Sequence, residues 1–135
     1  LSKIDLVCEG DLNVKCIHEN GASFLADAPK AVGGKGECFS PTDLLPTALG
    51  SCMLITMKLK AKKLGIDLME TKATVEKEMS SAPPRKINSI TVSIKSIFKP
   101  TPEEKKELEN AALTCPVNYS LDPNIKKNTI FFWGE

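Results

Sequence analysis

The stretch between Ser40 and Gly65 constrains this chain more than any other. It opens on Ser40-Pro41-Thr42-Asp43. A serine caps a helix, a proline suits the first helical position, and an acid in the first turn meets the positive end of the helix dipole. Leu44, Leu45, Ala48, Leu49, Cys52, Ile55, Thr56 and Leu59 then recur at helical spacing. Lysines gather over 58–63 and Gly65 supplies the stop. Pro46 falls in the first turns, where it can kink the helix. The small residues Ala48, Gly50 and Ser51 just before Cys52 predict that another element approaches the helix closely there.

The flanking segments read as strands. Residues 4–26 contain Asn20-Gly21 between Val14-Lys15-Cys16-Ile17 and Ala22-Ser23-Phe24-Leu25, a strong hairpin signal. Residues 28–37 are rich in Gly, Pro and Lys. Their Gly33-Gly34-Lys35-Gly36 lacks the Gly-Lys-Ser/Thr ending of a phosphate loop, so they read as a flexible loop. Residues 71–79 alternate; after Pro83-Pro84, Ile90, Val92 and Ile94 alternate with Thr91, Ser93 and Lys95. Thr101-Pro102-Glu103-Glu104 is a capping box that opens a second, shorter helix lasting to about Thr114, and Pro116 ends it. A last short strand spans 129–133. This order predicts one α+β domain over residues 1–135, with an antiparallel sheet, a long central helix and a shorter one.

Composition narrows the function classes. A chain of 135 residues with 41% hydrophobic and 26% charged residues is ordinary globular material. A net charge of +1 and 5% aromatic residues argue against a nucleic-acid or anionic-membrane partner. No apolar run is long enough to span a membrane and no basic-then-apolar segment opens the sequence, so a cytoplasmic protein is expected.

Five cysteines, Cys8, Cys16, Cys38, Cys52 and Cys115, form no regular framework, which suits a reducing compartment. The single histidine, His18, lies near the hairpin turn and reads as structural or solvent-exposed. With no Cys-x-x-Cys pair, a zinc site is not expected, and thiol chemistry is the remaining reading. Cysteine is often simply a packing residue, and Cys8, Cys16 and Cys38 read as bystanders.

Two segments set Cys52 and Cys115 apart: Ser40-Pro41-Thr42-Asp43-Leu44-Leu45 through Gly50-Ser51-Cys52, and Cys115-Pro116-Val117-Asn118-Tyr119-Ser120-Leu121. Together they resemble the OsmC/Ohr family of osmotically inducible and organic-hydroperoxide-resistance proteins. Ala26-Asp27-Ala28-Pro29 and Gly33-Gly34-Lys35-Gly36 echo that family's approach to the helix. The resemblance implies a homodimer, intertwined, and a cysteine-based peroxidase. Cys52 would attack an organic hydroperoxide, and Cys115 would resolve the sulfenic acid as a disulfide. No cofactor is implied, but a lipoyl or other small dithiol must re-reduce the enzyme.

A free cysteine has a pKa near ~8.5, so a thiolate needs help at neutral pH. Cys52 lies roughly 16 Å along the axis from the helix start, beyond the reach of the dipole. In the family an arginine from the N-terminal strands, paired with a glutamate at the start of the long helix, supplies that help. Here the only arginine is Arg85. Thr42 stands ten residues before Cys52, with Asp43 next to it. Lys15, Lys35 and Arg85 are the candidate activating cations, and Thr42 and Asp43 the candidate positioning residues. Asp43 sits about 13.5 Å below Cys52 and half a turn round the helix, so it would reach a sulfur only across a dimer interface. Two rival readings stand beside the peroxidase: a non-catalytic homodimer holding a small apolar ligand, and a slow redox sensor.

Overall fold

The computed structural model describes all 135 residues. They divide into two compact units, residues 1–45 and 46–135. The first holds strands β1 (Ile4–Glu9), β2 (Asn13–His18) and β3 (Ser23–Asp27), paired antiparallel in chain order. Gly10, at φ 58, turns β1 into β2. The Asn20-Gly21 signal turns β2 into β3: Asn20 Oδ1 accepts the Ala22 N–H at 2.9 Å, and His18 Nδ1 accepts the Asn20 N–H at 3.0 Å. The histidine is therefore a turn residue.

Leu6, Cys16 and Phe24 stand opposite one another across the three strands, and so do Val7, Lys15 and Leu25. Side chains opposite in register share a face, so both faces of this sheet carry apolar residues. The following loop, expected to be flexible, is tied back on itself. It contains a 3₁₀ turn over Lys30–Val32, and buried Asp27 accepts the Glu37 N–H at 2.8 Å. A Cβ on Gly34 would stand 1.8 Å from the Ala28 carbonyl oxygen, so the glycine marks a backbone approach rather than a phosphate cradle.

Helix α1 (Pro41–Leu64) begins as its sequence dictates. Ser40 Oγ accepts the Asp43 N–H at 3.1 Å, and Asp43 Oδ2 accepts the Ser40 N–H at 3.0 Å, a reciprocal cap. The helix continues through buried Pro46 and stops at Gly65, which adopts φ 69. In the second unit, strands β4 (Lys72–Met79), β5 (Ile87–Ser96) and β6 (Lys126–Trp133) form a sheet in that order. Between β5 and β6 come α2 (Pro102–Leu113) and the single turn α3 (Pro116–Ser120).

The expectation of an antiparallel sheet is corrected here. β4 and β5 are antiparallel, but β5 and β6 run parallel. A parallel pair needs a long crossover, and the chain through α2 and α3 provides it. β6 also begins three residues earlier than its sequence pattern suggests, at Lys126. The core gathers Leu49, Met53 and Met57 of α1, Ile90, Val92 and Ile94 of β5, and Leu108 and Ala112 of α2. A Cβ on Gly50 would lie 2.6 Å from Val75 Cγ1, so the small residues before Cys52 do admit β4 closely.

Candidate functional site

Cys52 lies in the middle of α1, on the border between the buried and outward faces, and is half-buried. Cys115 follows α2, where Pro116 forbids continuation, and it is fully buried. Its residue caps α3, with Pro116 in the first helical position and Sγ accepting the Asn118 N–H at 3.4 Å. The two thiols, far apart in sequence, are neighbours in the fold and act on one another. Both are free rather than joined as a disulfide.

The environment of this pair is asymmetric. Burial, the largest influence, pushes the Cys115 thiol above its ordinary range. The N–H groups of Asn118 and Val117 pull the other way, but the neighbouring Cys52 raises it further. Cys115 is thus the thiol that keeps its proton, and Cys52 the one that solvent reaches.

Around Cys115 three groups fix the backbone. Asn118 Nδ2 donates to the Leu113 carbonyl at 2.7 Å, and Lys127 Nζ donates to the Asn118 carbonyl at 3.3 Å. Asn118 Oδ1 is buried with no hydrogen-bond partner. Beyond Cys52 along α1, an open groove of about 420 Å³ is lined by Leu54, Ile55, Leu59, Leu68 and Met69, with Lys58, Lys62 and Glu70 also lining it.

The other candidate residues fall elsewhere. Thr42 and Asp43 belong to the cap of α1, where Thr42 Oγ1 lies 3.2 Å from Ser40 Oγ. Lys15 is half-buried in β2, between Val7 and Leu25 in the register. Lys35 is exposed in the closed loop, and Arg85 is exposed in the β4–β5 turn. No lysine or arginine is among the groups that act on the Cys115 thiol.

Sequence reasoning overlooked Lys77 and Lys127. Both flank Ile90 in the register, on the sheet face that carries Val75, Val92 and Phe131 to the core, and both are half-buried. The signal was available. Lys77 is in phase with Ala73 and Val75, and Lys127 with Thr129 and Phe131.

The family model for OsmC-like proteins matches residues 34–129, and the chain belongs to that family. A crystal structure from Psychrobacter arcticus, described as an osmotic stress induced and detoxification response protein, is 37% identical. It superposes with a TM-score of 0.92, over 97% of this chain and 96% of that one. An organic hydroperoxide resistance protein OsmC from Legionella pneumophila shares the fold at 16% identity, TM-score 0.77, over 98% and 96% of the two chains. An organic hydroperoxide resistance protein from Elizabethkingia anophelis does so at 21% identity and TM-score 0.75, over 98% and 96%. No curated protein matches the chain. No helix is long and apolar enough to cross a membrane.

Proposed function

We propose that this protein is a thiol peroxidase for organic hydroperoxides, acting as a cytoplasmic homodimer. The observation that carries the reading is the neighbouring pair of free thiols, one reachable by solvent and one buried and holding its proton. Such a pair suits a two-step oxidation. The Cys52 thiolate attacks the terminal peroxide oxygen, the O–O bond breaks, and the alkoxide leaves and takes up a proton as the alcohol. Cys115 then attacks the Cys52 sulfenic acid, forming the disulfide while its proton leaves with the hydroxyl as water. An external dithiol, lipoyl or another small one, returns two electrons and two protons.

The apolar groove in the turns of α1 that follow Cys52 supports hydrophobic peroxides as substrates. Apolar residues on both faces of the β1–β3 sheet, and exposed Ile55 and Leu59 on α1, support a second copy as their cover. A non-catalytic homodimer that holds an apolar ligand draws on the same groove and on the lack of an arginine in β1–β3.

One equivalent of cumene hydroperoxide separates these readings. The peroxidase loses two thiols per chain, and peptide mapping recovers a Cys52–Cys115 cross-link. Retention of both thiols would leave the ligand-holding homodimer.

A further inference from the structure

The chain around Cys115 is braced from both sides. Leu113 ends α2, two residues before the thiol; Asn118 lies in α3, three residues after it. The Asn118 amide closes this bend by donating to the Leu113 carbonyl at 2.7 Å, while its own N–H reaches Cys115 Sγ at 3.4 Å. Lys127, from the middle strand's parallel neighbour β6, fastens the bend to the sheet through the Asn118 carbonyl at 3.3 Å. One residue therefore makes three of the bonds that set where the Cys115 sulfur points.

Asn118 gives up something for this position. Its Oδ1 is buried and no protein group donates to it. An unsatisfied buried acceptor is destabilising, and such groups are rare outside sites where a second requirement fixes them. Here the amide cannot turn to satisfy Oδ1 without losing the bond that closes the bend. Packing alone does not account for an asparagine at this place.

Resting on the peroxidase reading above, we infer that Asn118, held by Lys127, is the positioning residue that keeps Cys115 in reach of Cys52 for disulfide closure. The second oxidation step is a race. The Cys52 sulfenic acid either meets Cys115 and releases water, or meets a second hydroperoxide and becomes the sulfinic acid with release of alcohol. Only the first outcome is reversible by a dithiol. A small displacement of a reacting group slows an intramolecular step strongly, on the order of 100-fold for ~1 Å. The brace therefore sets how much peroxide the protein survives.

The test is a peroxide pulse on the full chain, following closure of the disulfide and the Cys52 sulfinic fraction by quenched-flow mass spectrometry. Asn118→Ala and Lys127→Met are compared with wild type and with Lys127→Arg, which retains a cationic donor. The expected result is closure slowed about tenfold in Asn118→Ala, equivalent to ~1.4 kcal/mol of barrier, with sulfinic acid accumulating at peroxide levels the wild type tolerates. Lys127→Met shows the same defect in smaller degree, and Lys127→Arg restores closure. A merely structural role would not divide the two steps in this way. Closure at the wild-type rate in folded Asn118→Ala overturns the inference. Should Asn118→Ala fail to fold, equal closure in Lys127→Met and wild type overturns it. A wild type that forms no disulfide at all overturns the peroxidase reading itself, a separate and recognisable outcome.

Discussion

Two neighbouring thiols do not ionise together, because the first charge opposes the second. At this pair the burial of Cys115 decides the order. It predicts that at neutral pH iodoacetamide modifies Cys52 and the exposed Cys8 and Cys38 well before the buried Cys115 and Cys16, read by peptide mass spectrometry. Labelling of Cys115 ahead of Cys52 would contradict the asymmetry. A second prediction follows from linkage. Native Cys115 keeps its proton at pH values where the unfolded chain, with a thiol pKa of ~8.5, loses it. The native state then binds more protons, so this contribution is full below that pKa and is lost as pH rises through the raised native one. The melting temperature of wild type should fall more steeply above about pH 8.5 than that of Cys115→Ser. What remained hidden at this scale was the environment of the pair. Lys127, which reaches the pair through the Asn118 carbonyl, is a charged residue in core-facing phase, and its charge alone would assign it to solvent.

Among the elements, both helix starts were legible, because their signals are local. Ser40 with Asp43 and Thr101 with Glu104 form the reciprocal caps that their spacing implies. Thr101→Ala should destabilise the protein by about 1 kcal/mol, seen as a drop of a few degrees in melting temperature. The direction of β6 was not legible. A strand reads the same either way, and only the crossover through α2 and α3 makes it parallel to β5. Nor was the closed loop over 28–37 legible, since its glycines look alike whether a loop is loose or, as at Gly34, pressed against its own backbone. Gly50 offers a sharper test. An alanine gains about 1 kcal/mol of helix propensity, but its Cβ would press on Val75, and overpacking costs about 1–3 kcal/mol. Gly50→Ala should therefore be destabilising in thermal melts. Gly50→Ala with Val75→Ala should be more stable than the two single effects added, because the pair is in contact. Strict additivity would mean that the approach of α1 to β4 is not what demands the glycine.

For the molecule as a whole, the apolar surface on each unit bears on the proposed homodimer. Leu6 is 66% exposed in β1 and Ile55 60% exposed in α1. Charges placed there would meet water in a monomer and an apolar partner in a dimer. Sedimentation should give about twice 14.7 kDa for wild type and a single chain mass for Leu6→Glu with Ile55→Glu. A wild type that sediments as one chain would remove the homodimer from the account. The meeting of Cys52 with Cys115 depends on the packing of α1 against the α2–α3 bend, which no local signal encodes; only the family resemblance foretold it.

The most direct test of the central claim is steady-state consumption of cumene hydroperoxide with a dithiol donor, in wild type, Cys52→Ser and Cys115→Ser. Turnover is expected in wild type, none above background in Cys52→Ser, and in Cys115→Ser a first oxidation followed by inactivation of Cys52. Background rates in all three proteins would contradict it.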